Sequence, residues 1–83
     1  MEVKTFGAQY ELVEFNHYVN HDEENPIEVL DIVIESNDVD FVEEEFSGLF
    51  VVDTKKESYV FSNYKPIEYY EVGSGLIRII CVK

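Results

Sequence analysis

The chain lacks a second cysteine, a long apolar run and, apart from Lys4, any lysine or arginine before position 55. Cys81 stands alone, so no internal disulfide can staple the core. A single thiol fits a reducing cytoplasm better than an oxidising compartment. No stretch approaches the ~18 consecutive apolar residues of a membrane span. Met1-Glu2-Val3-Lys4-Thr5 shows no basic segment leading into an apolar one, as a secretory leader would. There is no Asn-X-Ser/Thr sequon, no low-complexity tract and no internal repeat, and the few glycines and prolines serve as punctuation. These absences together predict one soluble, cytoplasmic domain over 1–83.

What is present is acid and aromatic surface. The net charge is −12 on 83 residues, yet 46% of them are hydrophobic, including six Phe and six Tyr. A disordered acidic tail would be poor in such residues, so the chain should fold. The charge is uneven. Residues 1–53 hold fifteen acids and one base, whereas 54–83 hold three acids and five bases. Between Asp22 and Glu45, eleven of twenty-four residues are acidic and none is basic. Such a field repels nucleic acid and anionic membrane and attracts basic surfaces over roughly a Debye length, ~8 Å at physiological salt. Direct binding of nucleic acid or membrane is therefore not expected, and a partner with a basic groove is.

The apolar periodicity is mostly that of strands. Glu2–Phe6 and Gln9–Val19 read as the first two, the second changing face near Leu12-Val13 as at a bulge. His21–Pro26 is a loop. Ile27–Glu35 is a strand with Leu30, Ile32 and Ile34 on one face and Val29, Asp31 and Val33 on the other. Ser36, Asn37 or Asp38 can cap a helix over about 37–47, with Val39, Val42 and Phe46 as its apolar stripe and Gly48 as its terminator. Leu49–Thr54 and Ser58–Tyr64 form a hairpin about Lys55-Lys56-Glu57. After Pro66, Ile67–Val72 resumes as a strand, Gly73-Ser74-Gly75 turns the chain, and Leu76–Val82 ends it with Arg78 as its one clearly polar residue. The predicted class is α+β: five or six mainly antiparallel strands with one short helix, or a small barrel if the sheet closes.

Few residues carry chemistry. His17 and His21, four apart and followed by three acids, could offer zinc two nitrogens. No cysteine pair supports such a site, so ordinary surface histidines are the expectation. Asp22-Glu23-Glu24-Asn25 lacks the alternating ligands and the glycine of an EF-hand. Gly73-Ser74-Gly75 lacks the helix and lysine of a phosphate loop. Carboxylate pairs can be drawn almost anywhere among eighteen acids, and so point to no catalysis. Cys81 reads as a packed core thiol. No enzymatic activity, cofactor or metal is expected. The tyrosines are too many for one small core, and adjacent Tyr69 and Tyr70 must point to opposite faces, so at least one faces outward as an interface anchor.

Val42–Phe50 followed by Ser58–Ile67, with its Asn63-Tyr64-Lys65-Pro66-Ile67 step, resembles small acidic accessory proteins of bacteriophages and prophages. The resemblance covers about residues 28–82. It implies expression in a bacterial cytoplasm and, among such proteins, either inhibition of host defences (anti-CRISPR proteins, restriction inhibitors, DNA mimics) or a structural or assembly role. The expected partner in the first case is a host nuclease or CRISPR effector with a basic nucleic-acid-binding surface. The binding residues would be Asp22, Glu23, Glu24, Asp38, Asp40, Glu43, Glu44 and Glu45, joined with Glu28, Asp31 and Glu35 into one negative face, and Tyr69 and Tyr70 as anchors. The second case implies self-association, as a homodimer or larger assembly, through an open sheet edge.

Overall fold

A computed structural model describes residues 1–21 and 24–83. Its six strands are β1 (Glu2–Lys4), β2 (Gln9–Asn20), β3 (Ile27–Glu35), β4 (Gly48–Asp53), β5 (Ser58–Gly73) and β6 (Leu76–Val82). They close into a barrel of order β1-β2-β3-β6-β5-β4, antiparallel at every seam. Each half, β1–β3 and β4–β6, is an up-and-down meander. The halves join where Val3 faces Val52 and where Ile32 faces Ile79. The topology thus repeats although the sequence does not.

The predicted antiparallel sheet is present in its closed form, but the α+β class gives way to a mainly β fold. The helix expected over 37–47 shrinks to one turn, α1 (Val42–Glu45). Its first residues are held otherwise. The Asp38 N–H donates to Ser36 Oγ (3.3 Å) and the Asp40 N–H to an Asp38 carboxylate oxygen (2.9 Å). Side-chain bonds of this kind compete with helical ones, and a helix this short is too marginal to win that competition unaided. Gly48, at φ 108°, turns the chain into β4.

Two long strands build the corners. β2 pairs with β1 through Gln9–Glu11 and with β3 from Leu12 onward, with the expected bulge between Leu12 and Glu14. β5 pairs with β4 as far as Tyr64, then with β6 from Lys65. Just before the switch stands Asn63, whose φ of 63° asparagine tolerates better than most residues. β5 therefore runs through Pro66 rather than stopping there. This stretch pairs on one side only and bulges between Pro66 and Glu68, which accommodates a residue without an N–H.

The interior holds a column of rings contributed by separate elements. Phe41 stacks on Tyr10 at 5.0 Å, Tyr10 meets Phe46 at 6.3 Å, Phe46 meets Phe50 at 5.3 Å, and Phe50 meets Phe61 at 5.6 Å. From Phe61 the column branches to Tyr64 at 5.4 Å and Phe15 at 6.0 Å. Leu30, Ile32, Ile34, Ile77, Ile79 and Cys81 pack around it, fully buried. Residues 36–47 close one side of the barrel, sending Val42 and Phe46 into the core.

The second face of β3 is covered too: Val29, Asp31 and Val33 are all buried. Asp31, 7% exposed, receives both Nε (2.9 Å) and Nη2 of Arg78, so the lone polar residue of β6 exists to satisfy it.

Replacing Arg78 by Met leaves the Asp31 carboxylate without its partner and should lower the midpoint of denaturant unfolding. The double change Asp31→Leu with Arg78→Met should recover most of that loss. A second expectation concerns alkaline pH. Burial pushes the Cys81 thiol from 9.0 up to about 12, and burial together with the Glu45 carboxylate pushes the Tyr10 phenol from 10.0 up to about 12. Both are raised, so the folded state keeps protons that the unfolded state loses. Stability should hold below pH 9 and fall as pH rises toward 12. In Cys81→Ala the part of the decline that begins near pH 9 should vanish, as read from unfolding midpoints at stepped pH.

Candidate functional site

The barrel side closed by residues 36–47 gathers the strongest charge. Asp38, Asp40, Glu43 and Glu44 are exposed there, with Glu35 at the adjoining end of β3. The β5–β6 turn is tied to the same place by the Ser36 N–H donating to the Gly75 carbonyl at 2.9 Å. Of the ion pairs among the described residues, none reaches an acid of 36–47. Three of the six bases are spent elsewhere: Lys4 lies 3.1 Å from Asp53, Arg78 on Asp31, and Lys83 3.8 Å from Glu28.

Glu45 differs from its neighbours. It is half-buried, and its carboxylate accepts from Thr5 Oγ1 (2.7 Å) and from the Tyr10 hydroxyl (3.0 Å to each oxygen). It braces the connection onto the β1–β2 turn and the aromatic column, and is a structural acid rather than a displayed one. Asp38 is also partly occupied, by the Asp40 N–H.

The remaining predicted residues divide. Asp22 and Glu23 lie outside the described residues. Glu24 is exposed in the connection between β2 and β3, at the other end of β3 from Glu35. Nine strand residues separate these ends, about 27 Å at the usual rise. No row of displayed acids bridges them, because Asp31 is buried under Arg78 and Glu28 faces His17 and Lys83. Among the described residues the acids therefore form no single face through β3.

Tyr69 packs half-buried against the core beside the acidic side of the barrel. Its phenol is shifted upward by burial first, then by Glu43 and Asp40. Tyr70 is exposed on the other face, where Arg78 Nη1 donates to its hydroxyl oxygen at 3.4 Å. The two tyrosines do point apart, and only Tyr69 neighbours the acids. His17 is engaged by Tyr64 and Phe61, and among the described residues no group of three His, Cys, Asp or Glu side chains gathers as a metal site.

One residue escaped the sequence reading. Phe6, assigned there to the first strand, sits in the β1–β2 turn closed by the Thr5 N–H on the Ala8 carbonyl at 2.8 Å. Its ring is fully exposed, at 102%, and lines a shallow hollow with Gly7, Glu44 and Glu45. The signal available was the small-residue context Thr5-Phe6-Gly7-Ala8, which suits a turn better than a strand.

Glu45→Gln separates bracing from display. It should lower stability by about 1–2 kcal/mol, since charged acceptors of hydrogen bonds are worth more than neutral ones. The affinity for any partner of the acidic side should move less than on changing Glu44. Equilibrium unfolding and a binding titration on the same pair of variants check this.

No helix among the described residues is long and apolar enough to cross a membrane. Comparison with protein-family models, with curated proteins and with solved structures finds no match to this chain.

Proposed function

We propose that the protein is a non-catalytic binding module that docks its acidic barrel side onto a cationic surface of another protein. The observation that carries this reading is Phe6. A fully exposed phenylalanine costs solubility unless something covers it, and here it shares a shallow hollow with Gly7, Glu44 and Glu45, where among the described residues neither acid has a basic partner. An aromatic anchor inside a charged rim is the usual anatomy of a protein–protein hot spot. The rim charges would steer encounter and select the partner, and the ring would supply affinity.

The partner class follows from the charge. Acids at this spacing suit a surface that normally holds phosphates, so the reading extends to a nucleic-acid-handling protein. In the phage setting this would be a host nuclease or CRISPR effector whose groove the acidic side occupies in place of nucleic acid. The displayed set is Asp38, Asp40, Glu43 and Glu44 with Glu35 and Phe6, while Glu24 would join only a partner wide enough to reach the far end of β3.

Affinity capture from bacterial lysate tests the reading, with duplex DNA and high salt as eluants. A variant with Glu35, Asp40, Glu43 and Glu44 each changed to Lys should fold but recover nothing that DNA displaces. Phe6→Ala should weaken the same capture by more than about tenfold. Undiminished capture by the four-lysine variant would sink the proposal.

A second reading has its own support. Residues 14–19 of β2 pair only with β3, and 65–73 of β5 only with β6, so both stretches leave one edge without a strand partner among the described pairings. Val19, Ile67 and Val72 are exposed along them. A self-associating structural or assembly module would use such edges. Sedimentation that shows a salt-insensitive oligomer favours this reading, and a monomer favours the first.

A further inference from the structure

Away from the side closed by residues 36–47, the aromatic column opens into a cleft of about 370 Å³. This volume lies within the ~300–1,000 Å³ usual for ligand sites. Its walls are Tyr59, Phe61 and Tyr64 of β5, His17 of β2, Glu28 of β3 and Lys83. The rings stand in different orientations: His17 is edge-on to Phe61 at 86° and to Tyr64 at 71°, and Phe61 is edge-on to Tyr64 at 88°. Tyr64 is fixed by the hydrogen-bonding contact of its hydroxyl with His17 Nε2 at 3.1 Å. Burial raises the Tyr64 phenol, and the Glu28 carboxylate adds to that shift.

The occupant of this cleft is already represented by the chain itself. Lys83 Nζ lies over the Tyr64 ring, 5.7 Å from its centroid, and 3.8 Å from a Glu28 oxygen. The main chain of Lys83 is anchored by its N–H on the Glu28 carbonyl at 3.1 Å, whereas its side chain is almost half exposed. An ammonium thus sits where aromatic faces and one carboxylate converge, but loosely, outside hydrogen-bond distance of the carboxylate. His17 is also too far from Glu28, at 3.9 Å, to satisfy it. Glu28 therefore retains acceptor capacity toward the cleft.

We propose that this cleft recognises an organic cation, a primary or methylated ammonium group on a short alkyl stem, and that Lys83 is its internal competitor. Aromatic faces attract ammonium ions within about 6 Å of the ring centroid, and the attraction strengthens when the cation is desolvated. Glu28 supplies the counter-charge, and the net charge of −12 raises the local concentration of any cation. The stem would lie along Phe61, and the exposed Tyr59 would close over it. The site shares no residue with the acidic side, so its failure would leave the docking proposal standing, and the converse.

The test is a titration of the whole chain, followed by the aromatic and His17 resonances in NMR. The probes are choline, its neutral isostere 3,3-dimethylbutanol, and a short peptide with one lysine or one trimethyllysine. Choline or a peptide should shift Tyr59, Tyr64 and His17 saturably, and the neutral isostere should not. Lys83→Met should tighten binding by about tenfold, because the competitor is gone, and Glu28→Gln should weaken it by a similar factor. Choline binding without peptide binding assigns a free amine, and the reverse assigns a lysine side chain of a protein. Equal shifts from the neutral isostere, or weaker binding on Lys83→Met, would overturn the proposal. So would an absence of saturable shifts in both wild type and Lys83→Met. Tyr59→Leu, at the rim of the cleft, should weaken choline binding while unfolding midpoints confirm that the barrel persists, and unchanged affinity in that folded variant would count against the proposal.

Discussion

The barrel depends on a column of rings that no single element could build. Phe41 and Phe46 come from the connection after β3, Tyr10 and Phe15 from β2, Phe50 from β4, and Phe61 and Tyr64 from β5. Phe46 and Phe50 are fully buried, and each ring of this size contributes several kcal/mol through burial and edge-to-face contact. β1 has three residues and α1 four, too few to hold the seam or the cap by backbone hydrogen bonds alone. Because the column crosses from one meander to the other, it ties the halves together alongside their two strand seams. It also orders the twelve-residue stretch 36–47, whose backbone would otherwise stay mobile at about 1–2 kcal/mol per residue of entropy.

Charge is then arranged around this apolar frame. Exposed ion pairs such as Lys4 with Asp53 are worth ~0–1 kcal/mol and decide little. The Asp31–Arg78 pair is different, because one partner is buried and breaking it leaves a carboxylate without solvent. The acids that cost nothing structurally are those of 36–44, where each side chain reaches water. Their mutual repulsion must still be offset, and the column beneath them offsets it. An acidic side can be sustained on a chain of this size because the adjoining connection is anchored through Phe41, Val42 and Phe46, not through its own helical bonds.

Much of this order is legible in the residues. Ile27–Glu35 alternates so clearly that its bounds, its fully buried face and the partial cover of the other face follow from period-2 spacing. The change of face in β2 announces its bulge. Other features are hidden for physical reasons. Periodicity reports which face a residue takes, not whether the sheet closes, so a barrel and an open sheet look alike. The Val39-Val42-Phe46 stripe describes an apolar surface that a helix and an irregular capped turn can both present. Pro66 reads as a stop because its tolerance depends on which edge of β5 is unpaired. Glu45 is indistinguishable in sequence from Glu43 and Glu44, and only the position of Tyr10 and Thr5 sets it apart.

The two ends of the column are chemically unlike, and the reason lies in how each is covered. At one end a connection rich in carboxylates lies across the barrel, so apolar surface is hidden and charge is displayed. At the other, β2 and β5 diverge past the last β1 pairing, and the rings themselves reach the surface beside a single carboxylate. Sites with no shared residues normally respond to substitution independently. Here they share the column, and they also share β3, which carries Glu28 at one end and Glu35 at the other. A change at one end can therefore reach the other through packed rings or through a strand, and a close-packed interior transmits strain along both routes.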